Sequence, residues 1–396
     1  MRWLINTIIT ITVCFSIFFT TFTPVKAFVS GGQTLSFLIP VVLIFMFDKL
    51  FLRKEIISTL VVVILIVFLH FLGVGYFENY LPECLYLLFT VFSLEHYLVT
   101  REKSYAKWVL LTEYGILFIL IIISIPQFIL QPNLTRILNQ AAEDPTIEFD
   151  YYWCISYRTV HELPILSVSL FALFFTSNKR LWKILAIVGL ALMLVVMVYA
   201  SSATSLLLML VIYVFFLFYN KRKTIIQNLT KGALLLLLFT PFLSTTFTIG
   251  VIDNVVMPVF EGSSTSQRIE EIRYYIKTGE TEGDMDTRDM HYQTTINSII
   301  SNPILPEFDN RKIGQHSFLL DHLAAMGLLL FVPYFIFFYD RYKRAKQYLH
   351  VGKPFQIVAS SAFVLLAVFK NYFVFTSAMF IVPLFLIQTE NNLTSK

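Results

Sequence analysis

Twelve long stretches of apolar residues divide this chain and constrain its fold more than any other feature. Several reach or approach the ~20 residues that an α-helix needs to cross a bilayer. In lipid every backbone polar group has to be bonded within its own segment, so helices are the expected form. The expected spans lie near 3–23, 34–47, 56–75, 81–98, 108–130, 162–176, 182–199, 203–219, 233–252, 318–338, 355–370 and 372–388. The sequence therefore predicts an all-α integral membrane protein, with one polytopic domain over residues 1–396.

The composition excludes a water-soluble globule of this size. Only 14% of the 396 residues are charged, and 57% are apolar or aromatic. An average soluble domain is roughly 25% charged. The basic residues are scattered between the apolar stretches, which argues against nucleic-acid binding. Three cysteines (Cys14, Cys84 and Cys154) exclude a disulfide-dense fold but leave pairing and redox compartment open.

Lysine and arginine are distributed unevenly among the connecting segments. One alternating set of segments, which includes both termini, holds 20 of the 30 basic residues. The opposite set has only Lys26 and Lys370 in its short loops. Short cytoplasmic loops carry the excess of Lys and Arg in membrane proteins. The pattern predicts a multi-pass membrane protein, with both termini cytoplasmic and two long outer loops at 131–161 and 253–317.

The outer loop at 253–317 contains signals for two short helices. Ser263 or Ser264 could cap the first helix, which would end at Gly279. Thr287 could cap the second helix, which would end before Pro303. Both helices carry apolar stripes. The loop is therefore expected to lie on the membrane or to fold over the helix bundle.

Ionisable side chains gather toward the predicted outer ends of the spans. The set comprises His70, Glu83, Arg158, His161, Glu162, Asp321, His322 and Lys370, with Arg288, His291 and His316 in the outer loop. Such groups are costly within a membrane, and their concentration at one face places any chemistry outside the cytoplasm. Glu95, His96 and Glu113 fall near predicted cytoplasmic ends, where snorkelling or solvation is the simpler interpretation.

The residue types in the outer set suit one reaction class. Guanidinium groups hold phosphate or pyrophosphate through paired hydrogen bonds. A histidine of near-neutral pKa can take the proton of an attacking hydroxyl. Glycosyl transfer from a lipid pyrophosphate needs both, because its leaving group becomes anionic as the bond breaks. The acidic run at 284–289 lacks the glycine and terminal glutamate of a calcium loop, so no metal is expected.

Three stretches resemble the O-antigen ligase and polymerase superfamily, and in particular its Wzy-type polysaccharide polymerases. The strongest runs from Arg288 to Asn302-Pro303, and continues in Ile313-Gly-Gln-His316-Ser-Phe-Leu-Leu-Asp321 and Gly327-Leu-Leu-Leu. The second is Tyr157-Arg158-Thr-Val-His-Glu-Leu-Pro164, similar to the family's Arg-containing start of a mid-chain helix. The third is Tyr199-Ala-Ser-Ser-Ala-Thr-Ser205, which precedes a Leu-rich span.

The resemblance implies transfer of a growing glycan from undecaprenyl pyrophosphate to an acceptor hydroxyl, without a metal, nucleotide or other cofactor. It implies that Arg288 and Arg158 hold the pyrophosphate and that His316 orients or deprotonates the acceptor. Asp321 would position His316 or a sugar hydroxyl, and His161 joins Arg158 as a substrate-binding candidate. A flippase and a chain-length regulator of the same pathway are the implied protein partners.

Several alternatives stay open at this level. The arginines could pair with Glu261, Glu270 or Asp289, and His316 could cap the helix that follows it. A ligase with a different acceptor belongs to the same superfamily. A transporter or lipid-linked oligosaccharide flippase also fits twelve spans, although such proteins usually have related halves and a polar site at mid-membrane. A non-enzymatic membrane scaffold is the remaining alternative.

Overall fold

A computed structural model describes residues 2–21, 32–48, 53–78, 80–100, 103–131, 134, 154–200, 202–220, 223–224, 226–228, 230–231, 245–260, 264–280, 283–370 and 376–394. Every long element in this part of the chain is a helix, and these residues form no strand. The helices are α1 (Arg2–Thr21), α2 (Gly32–Phe47), α3 (Lys54–Phe71), α4 (Tyr80–Thr100), α5 (Lys103–Leu130), α6 (Tyr157–Thr176), α7 (Arg180–Tyr199) and α8 (Ala203–Leu217). They continue with α9 (Thr245–Val251, extended through Ile252–Val256 and Met257–Phe260), α10 (Ser264–Thr278), α11 (Asp284–Ser301), α12 (Phe318–Gln347), α13 (Lys353–Phe369) and α14 (Ser377–Ile381 and Val382–Thr394).

Six helices of the described residues are long and apolar enough to cross a membrane: α1, α3, α5, α6, α7 and α12. Shorter apolar helices occupy Ser36–Phe47, Ala203–Leu217, Lys353–Phe369 and Ser377–Glu390. The prediction of an all-α chain with membrane-length apolar helices is thus confirmed. Residues 233–244 of the expected span at 233–252 and most of the expected loop at 131–161 lie outside the described residues.

The bundle is apolar on its perimeter and polar in parts of its interior. Large side chains such as Ile11, Ile64 and Leu207 are exposed on the outside of the bundle. An exposed apolar surface of this extent is unfavourable in water but favourable in contact with lipid chains. By contrast α4 and α6 are buried almost throughout their length, and they carry the buried ionisable side chains of Glu83, Glu95, His96, His161 and Glu162. These two helices form the centre around which the perimeter helices pack.

The bundle has two ends that differ in chemistry. We use "upper end" for the end at which α4, α6 and α12 begin, and this end matches the predicted outer face. At the lower end Glu95 is buried and accepts hydrogen bonds from Arg344 at 3.1 Å and Arg53 at 3.3 Å. Nearby, His96 is also buried and bonds Asp48. The interpretation of Glu95 and His96 as solvated groups is therefore wrong, because paired charges inside the bundle replace water as their partners.

Helix α12 is broken at Gly327, where the backbone has φ 63° and ψ 166°. The segment before α12 fills this break with its own backbone. Leu328 donates its N–H to the carbonyl of Pro303 at 2.9 Å, and Leu329 donates to that of Ile304 at 3.3 Å. A helix break inside an apolar bundle is tolerated when other groups satisfy the freed backbone. The Pro303 segment does so here, and it ties the large loop to the bundle.

The large loop contains the two expected helices with one change of boundary. Helix α10 begins at Ser264 and ends just before Gly279, as predicted. Helix α11 begins at Asp284 after Gly283, three residues before the expected cap at Thr287. Thr287 lies in the first turn instead, where its hydroxyl donates to the carbonyl of Gly283 at 3.1 Å. The prediction of a Thr287 cap is wrong because the turn at Gly283 starts the helix earlier.

Candidate functional site

His316 stacks on His291 at the upper end of the bundle, with 4.5 Å between the ring centroids. His291 lies on α11, and His316 lies in the turn just before α12. Burial lowers the pKa of His316, and the charges of His291, Arg288 and Lys370 lower it further. Because the usual value is about 6.5, the ring is neutral at pH 7 and can accept a proton.

The turn that carries His316 lies directly against the backbone of α11. A Cβ atom added at Gly314 would lie 2.1 Å from the carbonyl oxygen of His291, so only glycine fits there. The N–H of Gly314 donates to the hydroxyl of Thr295 at 2.7 Å. Gln315 has a φ of 57°, a backbone conformation that residues other than glycine rarely adopt. Together these contacts fix the position of His316 over His291.

Asp321 is buried and holds this turn in place. Its carboxylate accepts one hydrogen bond from the hydroxyl of Thr295 at 3.0 Å and another from the N–H of Ser317 at 2.9 Å. The hydroxyl of Ser317 in turn accepts from Leu320 N at 3.2 Å, so Ser317, and not His316, caps α12. The geometry gives Asp321 a positioning role, because it joins α11 to the residue that follows His316.

Arg158 belongs to a second polar cluster at the same end. Its Nε donates to Glu162 at 3.2 Å, its Nη1 bonds the hydroxyl of Tyr86, and its guanidinium lies 4.1 Å from the centroid of the Tyr86 ring. Glu162 also accepts from the hydroxyl of Ser377 at 2.7 Å. We call these four residues the Arg158 cluster. Two partners of Arg158, Tyr86 and Glu162, thus lie on α4 and α6.

The local sequence explains why Arg158 lies inside the bundle. Helix α6 begins at Tyr157, five residues before the expected span, because Ser156 caps it by accepting from Thr159 N at 3.1 Å. Residues 157–161 therefore belong to a helix and not to the end of a loop. This extension carries Arg158 and Glu162 one turn apart, at the spacing that pairs opposite charges on a helix.

His161 is fully buried between α6 and α8. Its Nδ1 bonds the hydroxyl of Ser205, and its ring packs edge-on against Tyr157 with 4.7 Å between centroids. The side chain thus joins the start of α8 to α6. A buried ring in these contacts has a packing function in this conformation, and does not face a substrate from solution.

A third feature of the upper end is a buried pair that sequence reasoning did not single out. Nε2 of His322 lies 3.1 Å from Glu83, which also accepts from the hydroxyl of Tyr334 at 2.6 Å. Nδ1 of His322 lies 2.8 Å from the carbonyl of Phe318, which can only accept, so Nδ1 carries a hydrogen. Glu83 thus joins His322 and Tyr334 inside the bundle. Both residues stand in the outer polar set of the sequence, but nothing in the sequence pairs them.

Helix α4 joins these features. Glu83 and Tyr86 are three residues apart and lie on the same side of the helix. Glu83 contacts His322 at the start of α12, and Tyr86 contacts Arg158 at the start of α6. The structure thus brings Arg288, His316 and Asp321 into one group and places the Arg158 cluster in the same end of the bundle. His161 lies behind that cluster, in the contact with α8.

No protein-family model, curated protein or solved structure matches this chain.

Proposed function

We propose that this chain is a membrane glycosyltransferase that joins undecaprenyl-pyrophosphate-linked saccharide units, acting as a polysaccharide polymerase at the outer face of a bacterial plasma membrane. The observation that carries the proposal is the His316 group: a neutral, half-buried imidazole held over His291, with the charges of Arg288 and Lys370 close enough to lower its pKa. A base beside a cationic group is the combination that transfer from a lipid pyrophosphate requires.

In the proposed reaction an acceptor hydroxyl attacks the anomeric carbon of the donor sugar. The bond from that carbon to the pyrophosphate oxygen breaks, and undecaprenyl pyrophosphate leaves with the bonding electrons. His316 takes the proton of the hydroxyl, while Arg288 binds the departing pyrophosphate. Asp321 keeps His316 in position through Ser317 and Thr295. No metal or cofactor takes part in the proposed step.

Arg158 supplies a second cationic group in the proposal. Its side chain is 18% exposed, and Glu162 and Tyr86 bind its guanidinium. A pyrophosphate bridging Arg288 and Arg158 would exchange part of the Glu162 contact for phosphate oxygens. The proposal includes twelve spans with both termini cytoplasmic, because that topology places all of these residues on the outer side.

Proton-coupled transport is a second candidate function, and one observation favours it. The Glu83–His322 pair is buried, in hydrogen-bond contact and inside an apolar bundle. Buried carboxylate and histidine side chains in membrane helices are typical of proton pathways. A transporter of this kind would lose activity with Glu83→Gln and keep it with His316→Gln, which is the reverse of what the polymerase proposal requires.

The proposal is tested with purified protein in vesicles and undecaprenyl-pyrophosphate-linked repeat units from the host glycan pathway. Wild-type protein should convert them to a ladder of longer lipid-linked glycans, and His316→Gln and Arg288→Gln should each lower the rate by about 10²-fold or more. Arg311→Gln is the matched control, because Arg311 is a 90% exposed arginine of the same loop. Its rate should equal that of wild type.

Three outcomes would contradict the polymerase. Transfer of single units to another acceptor would identify a ligase. Wild-type rates in both variants would remove His316 and Arg288 from the mechanism. Absence of any product from folded protein with the correct donor would favour transport, which a flipping assay in the same vesicles would then measure.

A further inference from the structure

A long apolar groove lies between α12, α13 and α14, away from the His316 group's polar contacts. Its volume is about 510 Å³, and its walls include Phe335, Phe363, Ala378 and Met379. This volume lies within the ~300–1,000 Å³ of sites that bind small molecules. Because the groove is open on one side and almost entirely apolar, a hydrocarbon chain suits it better than a sugar.

Two polar side chains line the lower part of this groove with atoms left unbonded. Arg341 is buried, and its Nε and Nη1 have no hydrogen-bond partner among the residues that the structure describes. Gln356 is also buried, and its Oε1 has no partner in the same part of the chain. Arg341 lies six residues before the end of α12, and Gln356 lies three residues after the start of α13, so both are near the same level of the bundle. Unbonded polar atoms at such burial are rare in folded proteins and call for a partner.

The carboxylates near Arg341 are bonded to other cations. Glu95 pairs with Arg53 and Arg344, and Glu55 also pairs with Arg344. Both lie close enough to act on the charge of Arg341, but among the described residues its guanidinium has one hydrogen bond, from Nη2 to the hydroxyl of Ser58 at 3.3 Å. An anion that enters through the groove would supply acceptors for Nε and Nη1.

We propose that the groove binds an anionic phospholipid of the phosphatidylglycerol type. One acyl chain lies along the apolar walls, and the phosphate binds Nε and Nη1 of Arg341. A headgroup hydroxyl donates to Oε1 of Gln356, an acceptor that the phosphodiester itself could not satisfy because it carries no O–H at neutral pH. The positive-inside pattern places Arg341 at the cytoplasmic leaflet, whose lipids are the anionic ones. This site is separate from the proposed catalytic group and does not depend on its function.

The test uses delipidated full-length protein in detergent, with thermal unfolding and native mass spectrometry as readouts. The ligands are dioleoyl phosphatidylglycerol, dioleoyl phosphatidylcholine and inorganic phosphate. Wild-type protein should bind phosphatidylglycerol at least about tenfold more tightly than phosphatidylcholine, and should not be stabilised by inorganic phosphate. Arg341→Gln should weaken phosphatidylglycerol about tenfold to a hundredfold. Lys343→Gln removes the same charge from an exposed position of α12 and should leave binding unchanged.

A second variant separates the groove from the headgroup contact. Ser361 is exposed and lines the groove, so Ser361→Trp should fill it and weaken phosphatidylglycerol without touching Arg341. Equal binding of both lipids to wild type would overturn the proposal. So would stabilisation by inorganic phosphate alone, which would indicate a small-anion site. Loss of binding in Ser361→Trp but not in Arg341→Gln would indicate a lipid chain anchored elsewhere, such as the tail of a lipid-linked donor, and would also overturn it.

Discussion

Glu83 and His322 are 239 positions apart in sequence, yet the carboxylate of Glu83 lies 3.1 Å from Nε2 of His322. The contact joins the beginning of α4 to the beginning of α12 inside the bundle. Tyr334, about two turns beyond the break in α12, donates to the same carboxylate at 2.6 Å. This carboxylate therefore holds both halves of α12 against the central helix.

Two replacements of Glu83 should distinguish the contribution of its charge to stability from that of its shape. Glu83→Ala leaves His322 and Tyr334 without their partner and should lower stability by about 3–5 kcal/mol. Glu83→Gln keeps the shape, since its amide can donate to His322 Nε2 and accept from Tyr334, and should cost less than half as much. Thermal unfolding in detergent measures both. Equal losses for the two variants would show that the pair does not hold the helices together.

The pH dependence of glycan extension should report on His316. Its pKa is lowered by burial and by nearby positive charges, so the base is neutral above that pKa and activity falls as pH decreases through it. Lys370→Gln removes one of these charges, so the pKa rises and the acid limb of the profile should move to higher pH. Lys312→Gln is the control, because Lys312 lies in the loop that carries His316 and its side chain is 59% exposed. This variant should leave the acid limb in place. A limb that stays fixed in Lys370→Gln would assign it to another group.

The sequence predicts the helices of this fold better than their contacts. Apolar runs and the positions of Gly279 and Pro303 are local signals, and α10 and α11 end where those residues predict. The start of α6 is different, because Arg158 and Glu162 look like loop residues until the bundle surrounds them. Helix formation there depends on the Ser156 cap and on burial by α4, which no local pattern contains.

The candidate site is likewise only partly predictable from the sequence. The clustering of ionisable side chains in the sequence predicts which residue types form the site and at which end of the bundle they lie. The partners do not, since Tyr86 for Arg158 and Arg344 for Glu95 come from helices far away in the chain. Tertiary packing decides which faces of two helices are in contact. The pattern of residues along the sequence does not determine these contacts. Asp321 was expected to position His316 or a sugar hydroxyl, and its contacts with Thr295 and Ser317 tie it to the turn that carries His316.

Gly327→Ala should be strongly destabilising. A Cβ atom there would lie 2.3 Å from the carbonyl oxygen of Ile304, and the φ of 63° is strained for alanine. The Pro303 segment would have to leave the break in α12, at a cost of about 2 kcal/mol or more. Gly115→Ala in α5 is the matched control, because its Cβ would meet nothing within 4 Å. The melting temperature of this control should equal or exceed that of wild type, and a normal melting temperature for Gly327→Ala would mean that the break is not needed.

Loss of a buried ion pair and loss of an exposed ion pair should have different effects on the stability of this chain. Glu95→Ala leaves Arg53 and Arg344 without their buried partner and should cost about 3–5 kcal/mol. Asp309→Asn breaks the pair with the exposed Arg311, where water replaces the lost contact, and should not change the melting temperature. Addition of salt should change the stability loss caused by Glu95→Ala only a little, since buried pairs are screened less than surface pairs. A comparable loss in both variants would contradict the burial of Glu95.

The orientation of the bundle can be measured with two single substitutions to cysteine. Arg311→Cys places an exposed thiol in the large loop, and Lys343→Cys places one near the lower end of α12. The native Cys84 and Cys154 are buried and should react little, so wild-type protein supplies the background. In intact cells a membrane-impermeant maleimide should label Arg311→Cys, and should label Lys343→Cys only after permeabilisation. The reverse result would put His316 and Arg288 in the cytoplasm, where a lipid-linked donor presented at the outer face could not reach them.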